Sequence, residues 1–383
     1  MVIKMKLKIN KYKIIVILFL LFTSFNFYYM DIHSNIRQGI NVWEALFSGH
    51  FLHYYSINLA SVEKGEMVHP ANYDMVMNIL MGIWQLPLYI LEKILHTNIQ
   101  QYMPAKIWGS LYPMIALLCS GEALKRIALQ IHMSEKQAEN VEFMFLTSTY
   151  ALTAGCVVAQ ADCIGLWFIL LAIENLIKKD NKKFILFFIL AAQCKFFALF
   201  ILIPIILLKE KNLLKIAVQA ITPLAVSFMI DLPFKIADPV GTGVKKSRLH
   251  DMIYSMTENR ISILGIDIPV VFIVFSFICI YAYLKSRPEE NEKWYLYIGG
   301  GAVIAVLFCF KVSPYWMIYM APFFCLFTME RGQNLERRLL AETVASISIT
   351  VGFIIAFHWI YDTQSLLITQ NEMVWGGWWR PIV

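Results

Sequence analysis

An aspartate and a histidine two residues apart, Asp31 and His33, follow the first apolar run of this 383-residue chain. A carboxylate anchored by a rigid helix can meet a hydroxyl at hydrogen-bond distance, which is what a general base requires. In extended backbone the two side chains would face the same side, so they form a candidate acid–base or metal-binding pair. A solvated helix end or an exposed polar turn would also explain these residues.

Three more histidines follow in the same region, at positions 50, 53 and 69. Their spacing is irregular and fits no known pattern of metal ligands. We therefore predict no metal site from them.

Two ionisable residues lie in apolar surroundings farther along the chain. Asp162 ends the sequence Gln160-Ala161-Asp162, between two apolar runs, where a charge is costly unless it lines a polar cavity. A turn-forming aspartate is the alternative for Asp162. Lys195 stands within Cys194-Lys195-Phe196-Phe197, where an ammonium group needs an anion or a wet cavity, unless the side chain extends to the membrane surface.

Residues 231–267 carry a basic run that includes Arg248 and Arg260. If this segment lies outside the cell, its positive charge opposes the usual topological bias. A phosphate partner at the outer leaflet would account for the excess, because arginine can bind phosphate through two parallel hydrogen bonds. A solvated flexible loop would hold the charge equally well, and we assign Lys245 and Lys246 to such a loop.

A third basic position, Lys311, precedes Ser313-Pro314-Tyr315-Trp316 at a predicted outer turn. Lys311 joins the candidate phosphate ligands. Tyr315 and Trp316 fit aromatic residues of the membrane interface better than sugar-stacking residues.

The elements that must position these residues are membrane helices. The chain is 58% hydrophobic and only 16% charged, with a mean hydropathy of +0.59, whereas soluble domains carry about a quarter charged residues. A net charge of +6 is modest for this size, so the composition argues against a nucleic-acid partner. The seven cysteines form no Cys-x-x-Cys motif, which argues against a zinc site. We predict one all-α polytopic domain over residues 1–383 and no cofactor.

Basic clusters mark the cytoplasmic side of such a protein. Five lysines precede the first apolar run, which predicts a cytoplasmic N-terminus and a first span over residues 14–29. The next cluster, at Lys125, then allows only one more crossing after that span. We therefore predict that residues 30–104 form one large outer loop, in which residues 75–95 are an interfacial or re-entrant helix.

The same argument predicts two short helices over residues 184–208, with Gln193 and Lys195 near their outer tip, because one span there would place the following lysines outside. We expect about eleven membrane helices in all, with an extracytoplasmic C-terminus, in a multi-pass protein of the plasma membrane. The other predicted spans are 105–124, 144–160, 163–178, 213–230, 268–284, 294–310, 314–329 and 340–359.

The order of these features resembles the GT-C class of membrane glycosyltransferases, which use a polyprenyl-phosphate-linked sugar. The resemblance covers most of the chain. Because each motif is short, the order of the motifs along the chain is the evidence for it. The motifs are Asp31-Ile32-His33, then Trp43, Gly49, Phe51, Tyr54 and Tyr55, the segment His69 to Asp74, Gln160-Ala161-Asp162, Cys194-Lys195-Phe196 and Ser313-Pro314-Tyr315-Trp316.

The resemblance implies an extracytoplasmic active site and an inverting transfer with Asp31 as general base. His33 departs from the commoner Asp-x-Asp or Asp-x-Glu pattern, which leaves its role and that of any metal open. The implied donor-phosphate ligands are Arg260, Lys195, Lys311 and Arg248. The implied acceptor or sugar-binding residues are His69, Asn72, Tyr73, Asp74, Gln160, Asp162 and Tyr315. The implied partners are a polyprenyl-phosphate sugar, membrane lipid and a glycan, lipid or protein acceptor.

Two other classes of function fit the same composition. A lipid or solute transporter, or flippase, of the cell envelope would also hold buried charges near a polar cavity. The absence of a visible inverted repeat and a first outer loop of roughly 75 residues argue against it. A non-enzymatic assembly protein of the envelope is the third class.

Overall fold

The computed structural model describes residues 11–263, 265–285, 292–310 and 313–330, together with short stretches between 336 and 367. Helices dominate this part of the chain, and the predicted all-α class is confirmed. Three of the described helices are long and apolar enough to cross a membrane, and several shorter apolar helices accompany them. These helices fit a multi-pass membrane protein, while the number of spans and their orientation stay predictions.

The first third of the chain alternates long and short helices. Its elements are α1 (Lys11–Asn26), β1 (Phe27–Tyr29), α2 (Met30–Phe47), a 3₁₀ turn (Phe51–His53), α3 (Tyr54–Glu63), α4 (Met75–Leu95), a second 3₁₀ turn (Ile99–Gln101) and α5 (Met103–Gln130). The first apolar helix therefore ends at Asn26, and a new helix begins directly before Asp31.

Helices α2 and α4 pack closely because glycine occupies both sides of their contact. A Cβ on Gly39 would overlap Gln85, and a Cβ on Gly82 would press on Val42. The indole of Trp43 donates a hydrogen bond of 2.6 Å to the Gly82 carbonyl. With 21 residues, α4 is about 31 Å long, enough to cross a membrane, so the interfacial placement of residues 75–95 stays a prediction.

No helix in the middle of the chain, which the structure describes in full, is longer than 16 residues. Its elements are α6 (Glu135–Thr147), α7 (Thr149–Leu152), a π-helical turn (Thr153–Val157), α8 (Asp162–Ile177), α9 (Asn181–Cys194) and α10 (Phe197–Lys209). The predicted pair of short helices over 184–208 is present as α9 and α10, which meet at Lys195 and Phe196.

The span predicted over 144–160 is not one helix. The chain leaves helical geometry at Ser148, whose hydroxyl caps α7 by accepting a hydrogen bond from the Ala151 amide. A Cβ on Gly155 would overlap Leu117 of α5, so the π turn brings its backbone against that helix. Serine competes with the helix for backbone hydrogen bonds, and this local competition is the reason for the break.

The last third begins with a long helix that is mostly exposed. Its elements are α11 (Leu213–Ala237), α12 (Pro239–Met256), β2 (Arg260–Ile263), β3 (Ile266–Pro269), α13 (Val270–Leu284), α14 (Lys293–Cys309), a 3₁₀ helix (Pro314–Tyr319), α15 (Ala321–Glu330) and β4 (Ser365–Leu367). Strand β4 pairs antiparallel with β1, and β2 pairs antiparallel with β3.

One sequence prediction changes in this region, and another lies mostly outside the described residues. Residues 231–267 are not a flexible loop, since they contain the end of α11, the whole of α12 and most of the β2–β3 hairpin. Asp238 explains the helix, because its side chain accepts from the Gly241 amide as N-cap and a proline follows at the first helical position. The span predicted over 340–359 lies mostly outside the described residues.

One large apolar cluster contains residues of the helices from α5 through α10 and of α14 and α15. In a membrane, helices associate mainly by close packing, because lipid tails are as apolar as leucine. Phe145, Phe188, Phe197 and Phe323 are completely buried in this cluster. Its packing fixes the ends of α8, α9 and the 3₁₀ helix beside one another.

Candidate active site

Asp31 lies in the first turn of α2, immediately after β1. Its Oδ2 accepts a hydrogen bond of 2.6 Å from Nε2 of Gln160, and its Oδ1 lies 3.2 Å from Nε2 of His69. The helix N-terminus adds amide dipoles that favour a carboxylate. The side chain is 20% exposed, so the carboxylate is held by two partners and still open to a third.

Gln160 arrives from the turn between the π helix and α8. Its backbone amide donates to the Ala154 carbonyl at 2.7 Å, and its side chain is buried. The preceding Ala159 has a φ of +49°, in the left-handed region that alanine rarely adopts. Such strain persists where the surroundings fix it, and here it aims Gln160 at Asp31.

His69 belongs to the irregular segment between α3 and α4. The Val68 amide donates to the Ser34 hydroxyl at 3.1 Å, which ties this segment to α2. Ala71 is buried, and Asp74 begins α4. These contacts hold the His69 ring against Asp31, so the structure brings together three residues that the sequence places more than 35 positions apart.

The predicted pairing of Asp31 with His33 is wrong. Both lie in α2, where two residues turn the side chain by about 200°, so they point apart. Nε2 of His33 lies 3.2 Å from Nε2 of Gln100, which also donates to the Glu66 carbonyl. Burial, with the positive charge of Lys106, lowers the pKa of His33 to about 4. His33 therefore packs as a neutral ring on the face of α2 away from Asp31.

A second charged pair consists of Asp162 and Lys195. Asp162 opens α8, Lys195 ends α9 in extended backbone, and its Nζ lies 3.0 Å from Asp162 Oδ1. The Asp162 side chain is completely buried. Gly165 lets the end of α9 approach this closely, because a Cβ there would lie 3.2 Å from Cys194. The Asp162 carboxylate is thus the anion that the apolar surroundings of Lys195 predict.

Aromatic rings surround the ammonium group of Lys195. Its Nζ lies 4.8 Å from the ring centre of Trp316 and 5.4 Å from that of Tyr73. These distances allow cation–π attraction. Tyr315 packs edge-on against Trp316, with ring centres 5.9 Å apart. Tyr315 and Trp316 therefore lie beside the Lys195 ammonium group, and their position in an interfacial belt stays a prediction.

Tyr73 connects the two carboxylates. Burial raises the pKa of its phenol well above its ordinary value, and the nearby charges of Asp162 and Asp31 add to the rise, as do Tyr112 and Tyr315. The Tyr73 phenol is therefore neutral. Its position within electrostatic range of both carboxylates places Asp31 and the Asp162–Lys195 pair in one site.

An open cleft of about 100 Å³ adjoins this site at the tip of the α9–α10 pair. It lies between the segment before α4, the end of α9 and the buried face of α12. Its lining residues are Asn72, Tyr73, Asp74, Ala192, Gln193, Cys194, Lys195, Phe196, Leu249 and Met252. The cleft gives the Lys195 region access from outside the helices.

Lys245, assigned from the sequence to a solvated loop, is buried. Its Nζ donates to Asp74 Oδ1 at 2.7 Å, to Asp231 Oδ2 at 3.0 Å and to the Tyr55 hydroxyl at 3.1 Å. Burial opposes the ammonium charge, but Tyr55, Asp74 and Asp231 raise the pKa of Lys245 above its ordinary value. The Tyr55 hydroxyl in turn donates to the Tyr73 carbonyl. Lys245 therefore fixes the segment that carries Tyr73 and His69.

Sequence reasoning missed Lys245 and Asp231, although a signal for them exists. Asp238-Pro239 is an N-terminal helix signature, and positions 241, 245, 249, 252 and 256 then recur on one face with helical spacing. Each of those positions is buried or half-buried in α12, as are positions 242 and 244. The helical pattern would have placed Lys245 inside rather than in solvent.

Two of the other predicted phosphate ligands, Arg260 and Arg248, lie on the surface. Arg260 is exposed, with its guanidinium 4.6 Å over the Tyr254 ring and its Nε donating to the Thr257 carbonyl. Arg248 is exposed on α12, and Lys311 lies outside the described residues. Lys195 is thus the predicted cation that the structure brings to Asp162, and the phosphate roles of the other three stay predictions.

In the described part of the chain, no three His, Cys, Asp or Glu side chains come together as metal ligands. Comparison of the chain with known families, curated proteins and solved structures gives no match. The function therefore has to be argued from the geometry of the site.

Proposed function

We propose that this protein is a membrane glycosyltransferase that transfers a sugar from a polyprenyl phosphate to an extracytoplasmic acceptor with inversion. The observation that supports it is the Asp31 carboxylate, held by Gln160 and His69 and still partly open, beside the Asp162–Lys195 pair. A base on one side of the anomeric carbon and a cation at the leaving phosphate are the two groups that such a transfer needs.

Asp31 acts as the general base in this proposal. A carboxylate has about four acceptor positions, and Gln160 and His69 use two of them. The acceptor hydroxyl donates to a free position, and its oxygen attacks the anomeric carbon as its proton passes to Asp31. The bond from that carbon to the phosphate oxygen breaks, and the electron pair leaves with the polyprenyl phosphate.

Lys195 stabilises the charge of the leaving phosphate from the cleft side. Its ammonium group pairs with Asp162, and the residue lines the open cleft. A lysine with three donors can hold a carboxylate and still meet a phosphate oxygen. The lipid tail would approach laterally along apolar helices, so the donor does not have to cross an aqueous tunnel.

The test uses the full-length protein in phosphatidylcholine nanodiscs and a panel of polyprenyl-phosphate hexoses and pentoses with labelled sugar. Release of polyprenyl phosphate is measured with and without glycan and lipid acceptors. Asp31→Asn keeps the shape of the side chain and removes its basicity, so we expect turnover to fall about 100-fold or more while donor binding persists. Asp251→Asn, at an exposed position of α12, is the matched control and keeps wild-type turnover.

Near-normal turnover in Asp31→Asn overturns the assignment of the base. Movement of an intact labelled donor between leaflets, without release of polyprenyl phosphate, overturns the transferase and favours a flippase.

A further inference from the structure

Three buried polar groups around Tyr73 and Lys195 have no hydrogen-bond partner among the described residues. They are Asp162 Oδ2, the Tyr112 hydroxyl and Nε1 of Trp316. Asp162 is 1% exposed, Tyr112 5% and Trp316 6%. Leaving such groups unsatisfied inside apolar surroundings is costly, so their presence together indicates a ligand that satisfies them.

These groups belong to one region of the molecule. Lys195 Nζ lies 3.0 Å from the Asp162 carboxylate and 4.8 Å from the Trp316 ring centre. Tyr112 belongs to α5, which packs against α8, the helix that Asp162 opens, and it lies within electrostatic range of Asp162 and Asp31, as Tyr73 does. The region therefore extends from the Lys195 ammonium toward the Asp31 carboxylate.

The chemistry of the three groups restricts the ligand. An indole N–H only donates, a carboxylate only accepts, and a phenol does both. A phosphodiester would bring only acceptors and negative charge against Asp162, and an ammonium group would bring donors alone against Trp316. Hydroxyl groups donate and accept, so a neutral polyhydroxylated ligand satisfies all three.

We propose that Asp162, Tyr112 and Trp316 form a sugar subsite that binds hydroxyl groups of the transferred sugar between Lys195 and Asp31. The subsite rests on the proposed function for the identity of that sugar as the transferred group. One face of Trp316 is covered by Lys195, so the indole binds the sugar through its N–H rather than by stacking. Asp162 neutralises Lys195 and accepts from the sugar with its second oxygen.

The experiment measures sugar binding without transfer. The full chain is placed in phosphatidylcholine nanodiscs, because maltoside and glucoside detergents themselves carry sugar headgroups. The probes are free glucose, galactose, mannose, N-acetylglucosamine and arabinose, each titrated to about 100 mM and followed by saturation-transfer difference NMR. We expect at least one sugar to bind with a millimolar Kd, and inorganic phosphate at the same concentration to leave its signal in place.

Tyr112→Phe and Trp316→Phe each remove one hydrogen-bonding group and keep the ring. We expect each to weaken sugar binding about 3-fold to 10-fold, the usual effect of one neutral hydrogen bond. Tyr89→Phe and Trp294→Phe make the same changes on α4 and α14, away from Lys195 and Asp162, and keep wild-type affinity. Thermal unfolding of each variant shows that it is folded.

Wild-type affinity in both Tyr112→Phe and Trp316→Phe overturns the subsite, as does the absence of binding by every sugar. Displacement of the bound sugar by phosphate overturns it in favour of an anion site. Sugar binding that depends on these residues, without release from any lipid donor, leaves the subsite standing and refutes the transferase. Release of polyprenyl phosphate that is unchanged in Tyr112→Phe and Trp316→Phe supports the transferase and refutes the subsite.

Discussion

Asp31 and His33 are two ionisable residues near the start of α2. They have different roles because the helix points their side chains in different directions. Asp31 faces Gln160 and His69, while His33 faces Gln100 and the Glu66 backbone. A carboxylate held by two donors and partly open suits proton transfer. A half-buried neutral imidazole suits packing, and its effect should appear in stability rather than in turnover.

The folded-state pKa of His33, about 4, lies below the ordinary value of 6.5. The unfolded chain therefore binds more protons than the folded one between these pH values, and stability falls as the pH drops from about 6.5 to 4. One pKa unit corresponds to about 1.4 kcal/mol, so His33 contributes at most about 3.5 kcal/mol to this loss. We expect His33→Gln to flatten the dependence of the thermal midpoint on pH.

His250→Gln is the control, because His250 is exposed on α12. It should keep the wild-type slope. Equal slopes in wild type and His33→Gln would show that His33 titrates as freely as an exposed ring.

Lys245 compensates two carboxylates on different elements, Asp74 and Asp231. Removing its charge leaves both without a cation in a largely buried position, and breaking such pairs is costly. We expect Lys245→Met to lower the stability of the protein by about 2 kcal/mol or more, measured by thermal unfolding. Lys246→Met, at the neighbouring exposed position, should change it by less than about 0.5 kcal/mol.

A Lys245→Met protein as stable as Lys246→Met would mean that Asp74 and Asp231 are protonated or solvated without the lysine. The Asp74→Asn and Asp231→Asn variants in the Lys245→Met background separate these cases, since each removes one unpaired charge and should recover part of the loss.

At the scale of elements, helices with long apolar runs could be predicted and their interruptions could not. Residues 268–284 and 294–310 were predicted as spans and are α13 and α14, and the short pair α9–α10 followed from the basic clusters. The break at Ser148 depends on one hydroxyl capping a new turn, a local event inside an apolar run. Helix α12 was missed because Gly241 and Gly243 suggest a loop, while a cap and tertiary contacts hold the helix.

The candidate site also contains residues that the sequence predicts and contacts that it does not. Asp31, Asp162 and Lys195 could be singled out because a charge beside an apolar run is unusual. Their partners could not be assigned, because Gln160 contacts Asp31 across 129 positions and Lys245 contacts Asp74 across 171. Such pairings depend on how helices pack, and one sequence contains no record of that.

The contact between α12 and α3 offers a test at this scale. The Asp238 carboxylate caps α12 and also accepts from the amide and hydroxyl of Ser56, at 2.8 and 2.5 Å. A Cβ on Gly241 would collide with the Ser56 amide and the Asp238 carboxylate, whereas a Cβ on Gly243 would meet nothing. We expect Gly241→Ala to destabilise the protein by about 2 kcal/mol, within the range of overpacking.

Gly243→Ala makes the same chemical change in the same helix. It should stabilise the protein by about 0.5 to 1 kcal/mol, because alanine favours helix over glycine. Thermal midpoints of the two variants should therefore move in opposite directions. Movement of both in the same direction would show that α12 does not dock on α3 as described.

At the scale of the whole molecule, the distribution of apolar surface indicates where lipid lies. Helix α11 is an apolar helix of 25 residues of which only a small share is buried, and large side chains project from it. These exposed residues include Leu213, Leu214, Val218, Ile221, Phe228 and Met229. The site lies near the end of α11 that carries Asp231, so a lipid-linked donor could approach along this helix.

The placement of α4 decides whether residues 30–104 form one outer loop. Its length permits a crossing, but its partner α2 carries Arg37, which pairs with Glu92 of α4 at 2.6 Å. Moving the packed pair into hydrocarbon would bury these charges at high cost. We therefore expect α4 to lie at the outer interface and α5 to make the crossing that follows α1.

Single cysteines at Lys64, Gln101 and Lys136 test this topology in a background without the native cysteines. Lys64 precedes α4, Gln101 follows it, and Lys136 lies beyond α5. In intact cells, an impermeant maleimide should label Lys64→Cys and Gln101→Cys, and should label Lys136→Cys only after the membrane is opened. Labelling of Lys64→Cys without Gln101→Cys would mean that α4 crosses, and the cytoplasmic position predicted for the Lys125 cluster would then require α5 to stay on one side.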